Sequence, residues 1–177
     1  MSARLVSVNV VHELIRGPTR WTAIDKRPVD GAVEVGELGL AGDRQCDTRY
    51  HGGPDKALYA YAAEDAEWWA SELDRDIPPG LFGENLTTRG LDITGALIGE
   101  QWTIGGILVE VRSPRTPCGN LSGRMEIKRF HHRFAETGRV GAYLKVLQPG
   151  RVCAGDRIEI VHRPDGARTI GDAARRS

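Results

Sequence analysis

The sequence predicts a mainly β fold, a single β-barrel with two or three helices packed on it. Short runs of alternating apolar and polar residues recur along the chain, and 22 glycines among 177 residues punctuate them. Helical spacing is confined to two segments and a short tail. A chain of this length suits one domain and buries a core without disulfides or a structural metal.

Taken in order, "RLVSVNVV" at residues 4–11 and "GAVEV" at 31–35 alternate as strands do. "KALYAYA" follows from Lys56, and "LFGENLTTRGLD" from Leu81 also looks like a strand. "QWTIGGILVEVRS" from Gln101 reads as two strands hinged at Gly105-Gly106. "GAYLKVL" from Gly141 and "DRIEIV" from Asp156 are joined by "QPGRVCAG", which carries a Pro-Gly turn signal.

In "AEDAEWWASELDR", Ala66, Trp69, Ala70 and Leu73 form an apolar helical stripe. In "MEIKRFHHRFAETG", Ile127, Phe130 and Phe134 form a narrower one, with Gly138 as its stop. The barrel domain is expected over residues 1–162. Residues 163–177 form a tail in which Thr169 caps a short helix, Ile170 to Arg176, that frays, docks on the barrel or packs on a partner.

With 24 basic and 24 acidic residues the formal net charge is +0, and no long run of one sign points to nucleic acid or an anionic membrane. No apolar run approaches the ~20 residues of a membrane helix, and the N-terminus lacks signal-peptide features. Cys46, Cys118 and Cys153 are odd in number, far apart and form no CxxC. A disulfide framework or zinc finger is therefore not expected, and a cytoplasmic protein with reduced thiols is.

Three clusters carry chemistry. In "PRTPCG" (114–119), Pro114 and Pro117 fix the backbone around Cys118, and Gly119 frees the chain to turn directly after the sulfur. An Arg115 guanidinium folded back on the sulfur would lower the thiol pKa. Such a stiff, electropositive loop suits a thiolate that meets a metal or an electrophile; the plainer alternative is a small buried hydrophobe. Cys46 and Cys153 lack flanking prolines and carry no comparable signal.

"GLAGDRQCDTRYHGGPDKALYAY" packs Arg44, Arg49, His51 and Lys56 among Gly39, Gly42, Gly52 and Gly53, which suits a phosphate cradle; the alternative is a solvated connection of paired charges. "LFGENLTTRGLD" sets Glu84 and Asn85 between apolar Phe82 and Leu86, implying a bulge with satisfied hydrogen bonds or side chains that read a ligand. His131 and His132, adjacent on a helix, are expected to face different directions and to share no metal. Trp68-Trp69 reads as one core aromatic and one amphipathic neighbour.

In this order, "GLAGDRQCDTRYHGGPDKALYAY", "FGENLTTRGLD", "IGEQWTIGGILVEVRSPRTPCGNL" and "GAYLKVLQPGRVCAGD" resemble the MOSC domain family, named from the molybdenum cofactor sulfurase C-terminus, closest to its bacterial YiiM-like branch. The resemblance runs from the first strand to about Val161. It implies a β-barrel that holds molybdopterin-type molybdenum cofactor, with Cys118 as metal ligand and catalytic residue beside Arg115. It assigns cofactor contacts to His51, Gly52, Gly53, Lys56, Asn85, Arg44 and Arg115. Which of Arg44, Arg49, Arg89 and Arg124 reaches the cofactor phosphate depends on how the loops converge.

The implied activity is two-electron reduction of N-hydroxylated compounds, of hydroxylamino-purine or amidoxime type, from N–OH to N–H with release of water. Members of the branch usually continue into a three-helix extension, of which "TIGDAARRS" resembles the first turns. No iron–sulfur pattern accompanies the barrel, so a separate electron-donor protein is implied, with a monomer or homodimer left open. A sulfur or cofactor carrier using Cys118 as persulfide or thiolate is the second reading, and an interaction module without chemistry the third.

Overall fold

The computed structural model describes residues 2–18, 20–46 and 52–176. The chain runs β1 (Arg4–Val11), β2 (Ile15–Arg16), β3 (Trp21–Thr22), β4 (Lys26–Pro28), β5 (Val33–Gly36) and β6 (Gly39–Leu40). A 3-10 turn at Pro54–Lys56 leads into β7 (Leu58–Ala62), α1 (Ala63–Leu73) and β8 (Leu86–Arg89). Then come β9 (Gln101–Ile104), β10 (Ile107–Pro114), α2 (Gly119–Met125), α3 (Phe130–Glu136), β11 (Ala142–Gln148), β12 (Gly150–Val152), β13 (Ile158–His162) and α4 (Ile170–Arg175).

The main sheet has eight strands in the order β13-β9-β10-β11-β7-β8-β1-β4. It is mixed, because β7 and β8 pair in parallel through Ala60 and Leu86 while the other ladders are antiparallel. The expected mainly β fold with packed helices is found, and of the expected barrel a curled sheet whose ladders form no continuous ring among the described residues. From Asn9 to Val11 the free edge of β1 is taken by β4. Only its start reaches β13, through one antiparallel bridge, Arg4 to Arg157, with Leu5 N–H donating to the Asp156 carbonyl at 2.8 Å.

Period-two alternation sorts the side chains onto two cores. Leu58, Ala60 and Ala62 of β7 join Leu5, Val8, Val109, Val111, Ala142 and Leu144 inside the curled sheet. Tyr59 and Tyr61 point the other way, into a second core with Ile24, Trp69, Phe82, Leu121, Phe130, Phe134 and Tyr143. Trp69 stacks on Phe134 at 5.6 Å and meets Phe130 edge-on at 5.0 Å, which joins α1 to α3. Trp68 stays half-buried under Arg139, whose guanidinium lies 4.9 Å from its ring.

Among the described residues four α-helices form rather than two or three. The additional one is α2: Gly119 does not turn the chain away but opens this helix, with Cys118 as the extended residue before it. Glu84 and Asn85 precede β8 instead of lying on it. The tail helix docks. Ile170 is buried in the inner core, its N–H donating to the Ala96 carbonyl, and the Thr169 hydroxyl accepts from Asp172 N–H. No described helix is long and apolar enough to cross a membrane.

Candidate functional site

One cleft opens where β10, β11 and β7 end, bounded by the β2–β3 hairpin and the start of α2. It holds about 710 Å³, part of it open to solvent, and its lining includes Arg20, Trp21, Lys26, Arg44, Cys46, Lys56, Tyr59, Asn85, Arg115, Cys118, Asn120 and Tyr143. Arg44, Lys56, Asn85, Arg115 and Cys118 therefore converge, although up to 74 residues separate them in sequence. Gly52 and Gly53 lie just before the 3-10 turn and do not line the cleft. His51 falls outside the described residues, as does Arg49. Arg89 pairs with Glu67 and Arg124 with buried Asp25, neither in the cleft lining.

The strand end delivers the thiol. Ser113 and Pro114 still pair with Tyr143 and Ala142 across β10–β11, and Arg115 N–H donates to the Gly141 carbonyl at 3.2 Å. Gly141 has φ +76°, and a Cβ there would lie 2.5 Å from the Ala60 carbonyl oxygen. Only glycine lets β11 approach β7 closely enough to set Tyr59 and Tyr143 together, their rings 5.7 Å apart. Cys118, half-buried, follows at the cleft wall.

Arg115 sits on this aromatic floor, 5.1 Å from the Tyr59 ring and 5.8 Å from Phe134. Its residue is 6% exposed, and its buried Nη1 has no hydrogen-bond partner among the described residues. Burial opposes the guanidinium charge, yet Tyr59, Tyr143 and Cys118 outweigh it and hold the group above its ordinary value. In turn burial drives the Tyr143 hydroxyl up despite Arg115. A buried cationic donor left without a partner, on a residue that lines a cleft, is a ready anion contact. Five cationic side chains and no carboxylate stand among the described lining residues, and with Lys26 paired to Asp43 the other four keep the field positive.

Lys26 is already neutralised by Asp43, whose two oxygens each lie 2.7 Å from Nζ. Asp43 Oδ1 also accepts from Val11 N–H at 2.9 Å, which holds the β6–Cys46 loop against β1. Gln45 Nε2 donates to the Lys56 carbonyl and ties this loop to the 3-10 turn, so Lys56 stands 5.3 Å from the Tyr143 ring.

Asn85 lines the cleft, and its amide also has protein partners. Its Oδ1 accepts from Tyr59 N–H at 3.0 Å and its Nδ2 donates to Asp43 at 2.8 Å and to the Asn9 carbonyl at 3.4 Å. Glu84, fully buried, caps the loop before β8 by accepting from Gly80 and Phe82 N–H and the Thr87 hydroxyl. The two histidines do not diverge: their rings lie 4.1 Å apart, and His131 Nδ1 meets the Ser122 hydroxyl at 2.7 Å. No cluster of three metal-binding side chains occurs among the described residues.

Sequence reasoning missed Arg20, Trp21, Tyr59, Tyr143 and Cys46 as cleft residues. Nothing local marks them, except that Trp21 stands beside Arg20 in a segment with no apolar period to bury it. A MOSC domain model matches residues 47–159.

The chain belongs to the MOSC domain family.

Protein YiiM of Escherichia coli (strain K12) is 38% identical over 157 residues, covering 86% of this chain and 69% of YiiM. Uncharacterized protein YflK of Bacillus subtilis (strain 168) is 38% identical over 142 residues, 80% of this chain and 64% of YflK. A protein named Reductase from Gibberella moniliformis is 34% identical over 151 residues, only 26% of its own length. The chain thus spans under two thirds of YflK and about a quarter of that reductase. Among solved structures, YiiM from Geobacillus stearothermophilus superposes with a TM-score of 0.80 at 32% identity, covering 97% of this chain and 82% of that one. This MOSC domain is therefore YiiM-like in sequence and fold.

Proposed function

We propose that this MOSC domain is a molybdenum-cofactor-binding oxidoreductase that reduces N-hydroxylated compounds, with Cys118 as the metal ligand. The observation that carries the reading is that Cys118 and Arg115, whose buried Nη1 has no partner among the described residues, line one cleft with no carboxylate among its described lining residues. Thiolate is a soft donor for a transition metal, and a phosphate or other anionic group satisfies Arg115. The residues present fit the group. A 34%-identical relative bearing the name Reductase agrees with this chemistry.

When bound, the cofactor would supply the electron pair that, with two protons from water, takes N–OH to N–H and releases water. The protein's part is positioning. Arg115, held by Tyr59 and Phe134, fixes an anionic edge, while Lys56 and Arg44 add charge at the mouth. Asn85 and Asp43 brace the loop that carries Arg44. Electrons come from a separate donor protein, and the setting is the cytoplasm.

The test is to express the full chain, beside Cys118→Ala, in a host that makes molybdenum cofactor, and to measure molybdenum by mass spectrometry and pterin by fluorescence after oxidation. Stoichiometric wild-type binding with metal lost from the variant supports the reading, and turnover of amidoximes completes it. Neither metal nor pterin, with extra sulfur on Cys118, replaces it with a sulfur carrier; full loading without turnover replaces it with a cofactor carrier.

A further inference from the structure

Among the described residues, Val6, Trp21, Leu38, Leu147, Ile160 and Val161 are the large apolar side chains left exposed. Trp21 alone among them lines the cleft. It is 56% exposed, whereas the next five residues, Thr22 to Lys26, are all buried. Its cross-strand neighbour in β2 is exposed Arg16, so the hairpin's own packing gives no reason for an indole here.

The hairpin holds Trp21 in place. Gly17 N–H donates to the Arg20 carbonyl at 2.8 Å and closes the turn. A Cβ on Gly17 would lie 2.3 Å from Asn120 Oδ1, so the turn rests directly on the first residues of α2. Pro18 adds contact, 3.8 Å from where a Gly119 Cβ would stand. The turn is thus anchored within two residues of Cys118, and Trp21 shares the cleft with the thiol, Tyr143 and cationic Arg20, Arg44 and Lys56.

We propose that Trp21 is an aromatic platform at the cleft mouth that stacks on the flat, conjugated ring of a bound molecule. An indole offers a wide, rigid apolar face that an aliphatic ligand covers poorly and a planar ring covers well. The surrounding cations favour a ring with electron-rich edges. The inference rests on the proposed reading that Cys118 faces the reacting group. A substrate ring and the cofactor's own pterin ring share this chemistry, and the experiment separates them.

Full-length protein loaded in a cofactor-making host is compared as wild type, Trp21→Ala and Trp21→Phe, with thermal melting as the control for folding. Two probes carry the same N-hydroxy group: benzamidoxime, with a flat ring, and acetamidoxime, without one. Calorimetry gives their affinities, and oxidised-pterin fluorescence gives cofactor content. With a substrate ring as occupant, Trp21→Ala weakens benzamidoxime about tenfold, leaves acetamidoxime and pterin content unchanged, and Trp21→Phe restores most of the loss. With the cofactor ring as occupant, Trp21→Ala loses pterin and Trp21→Phe keeps it. A Trp21→Ala protein that matches wild type in both ring preference and pterin content overturns the platform. If wild type reduces neither probe but Trp21→Ala still loses ring binding or pterin, the reductase reading falls and the platform stands.

Discussion

Asn85 donates its side-chain amide to Asp43 across 2.8 Å, and Asp43 in turn holds Lys26 with both oxygens. Four segments distant in sequence meet at one carboxylate: β1 through Val11, the first residue of β4, the loop after β6 and the loop before β8. The Arg44 end of the cleft is therefore set by a knot of protein hydrogen bonds.

Asp43→Ala strands a Lys26 ammonium whose side chain is 9% exposed. Breaking such a pair from one side costs about 3–5 kcal/mol, while removing both partners costs much less. Urea unfolding of Asp43→Ala, Lys26→Met and the double variant checks this; the double variant should be the more stable of the two that lack Asp43.

Arg115 trades stability for binding. Its unsatisfied Nη1 costs about 1–3 kcal/mol, which the contacts with Tyr59 and Phe134 roughly offset. Arg115→Met should change unfolding free energy by less than about 2 kcal/mol in either direction. Inorganic phosphate should raise the melting temperature of wild type and leave the variant unmoved.

Burial pushes the Glu84 carboxyl above its ordinary 4.5, against the pull of hydrogen bonds from Gly80, Thr87 and Phe82. A carboxyl raised on folding binds its proton more tightly folded than unfolded. Its contribution is fully present below pH 4.5 and is lost as pH rises through the folded value. Glu84→Gln should remove that slope, so the wild-type minus variant difference in unfolding free energy should fall as pH rises above 4.5. A flat difference would show that Glu84 ionises alike in both states.

Gly141→Ala forces φ +76° on a residue with a Cβ and drives that Cβ to 2.5 Å from the Ala60 carbonyl oxygen and 2.7 Å from the Tyr59 ring. The strain alone is about 1–3 kcal/mol, and the displaced strand adds to it. Denaturant unfolding should show a loss of about 2 kcal/mol or more, with phosphate binding weakened because Arg115 hangs from the Gly141 carbonyl.

The alternating runs were legible because one face of β1, β7, β10 and β11 fills the inner core. The stripe Ala66, Trp69, Leu73 and the Thr169 cap were legible for the same local reason. Helix α2 was not, since "GNLSGRM" has two glycines and no wide apolar stripe; Leu121 and Met125 are its only buried residues, and tertiary packing makes the helix. The same limit hid Tyr59 and Tyr143, which read as ordinary strand aromatics until β7 and β11 lie side by side. Asn85 was visible as a polar residue in an apolar setting, but its partner Asp43 stands 42 positions away. Cys46 carries no local mark, yet it lines the cleft that holds Cys118.

The bridge from Arg4 to Arg157 joins positions about 150 residues apart, so the seam of the sheet is its most non-local contact. A ribosome releases β1 well before β13. Until β13 emerges the start of β1 has no partner on that side, while β4, 15 to 19 positions on, shields the other half of the same edge. Closing so long a loop is slow, and the seam should form after the rest of the sheet. The order reverses under stress: amide exchange at Leu5, Gly155 and Ile158 should lead that of β7 and β11, and an unzipped β1 edge is where a second chain would add a strand.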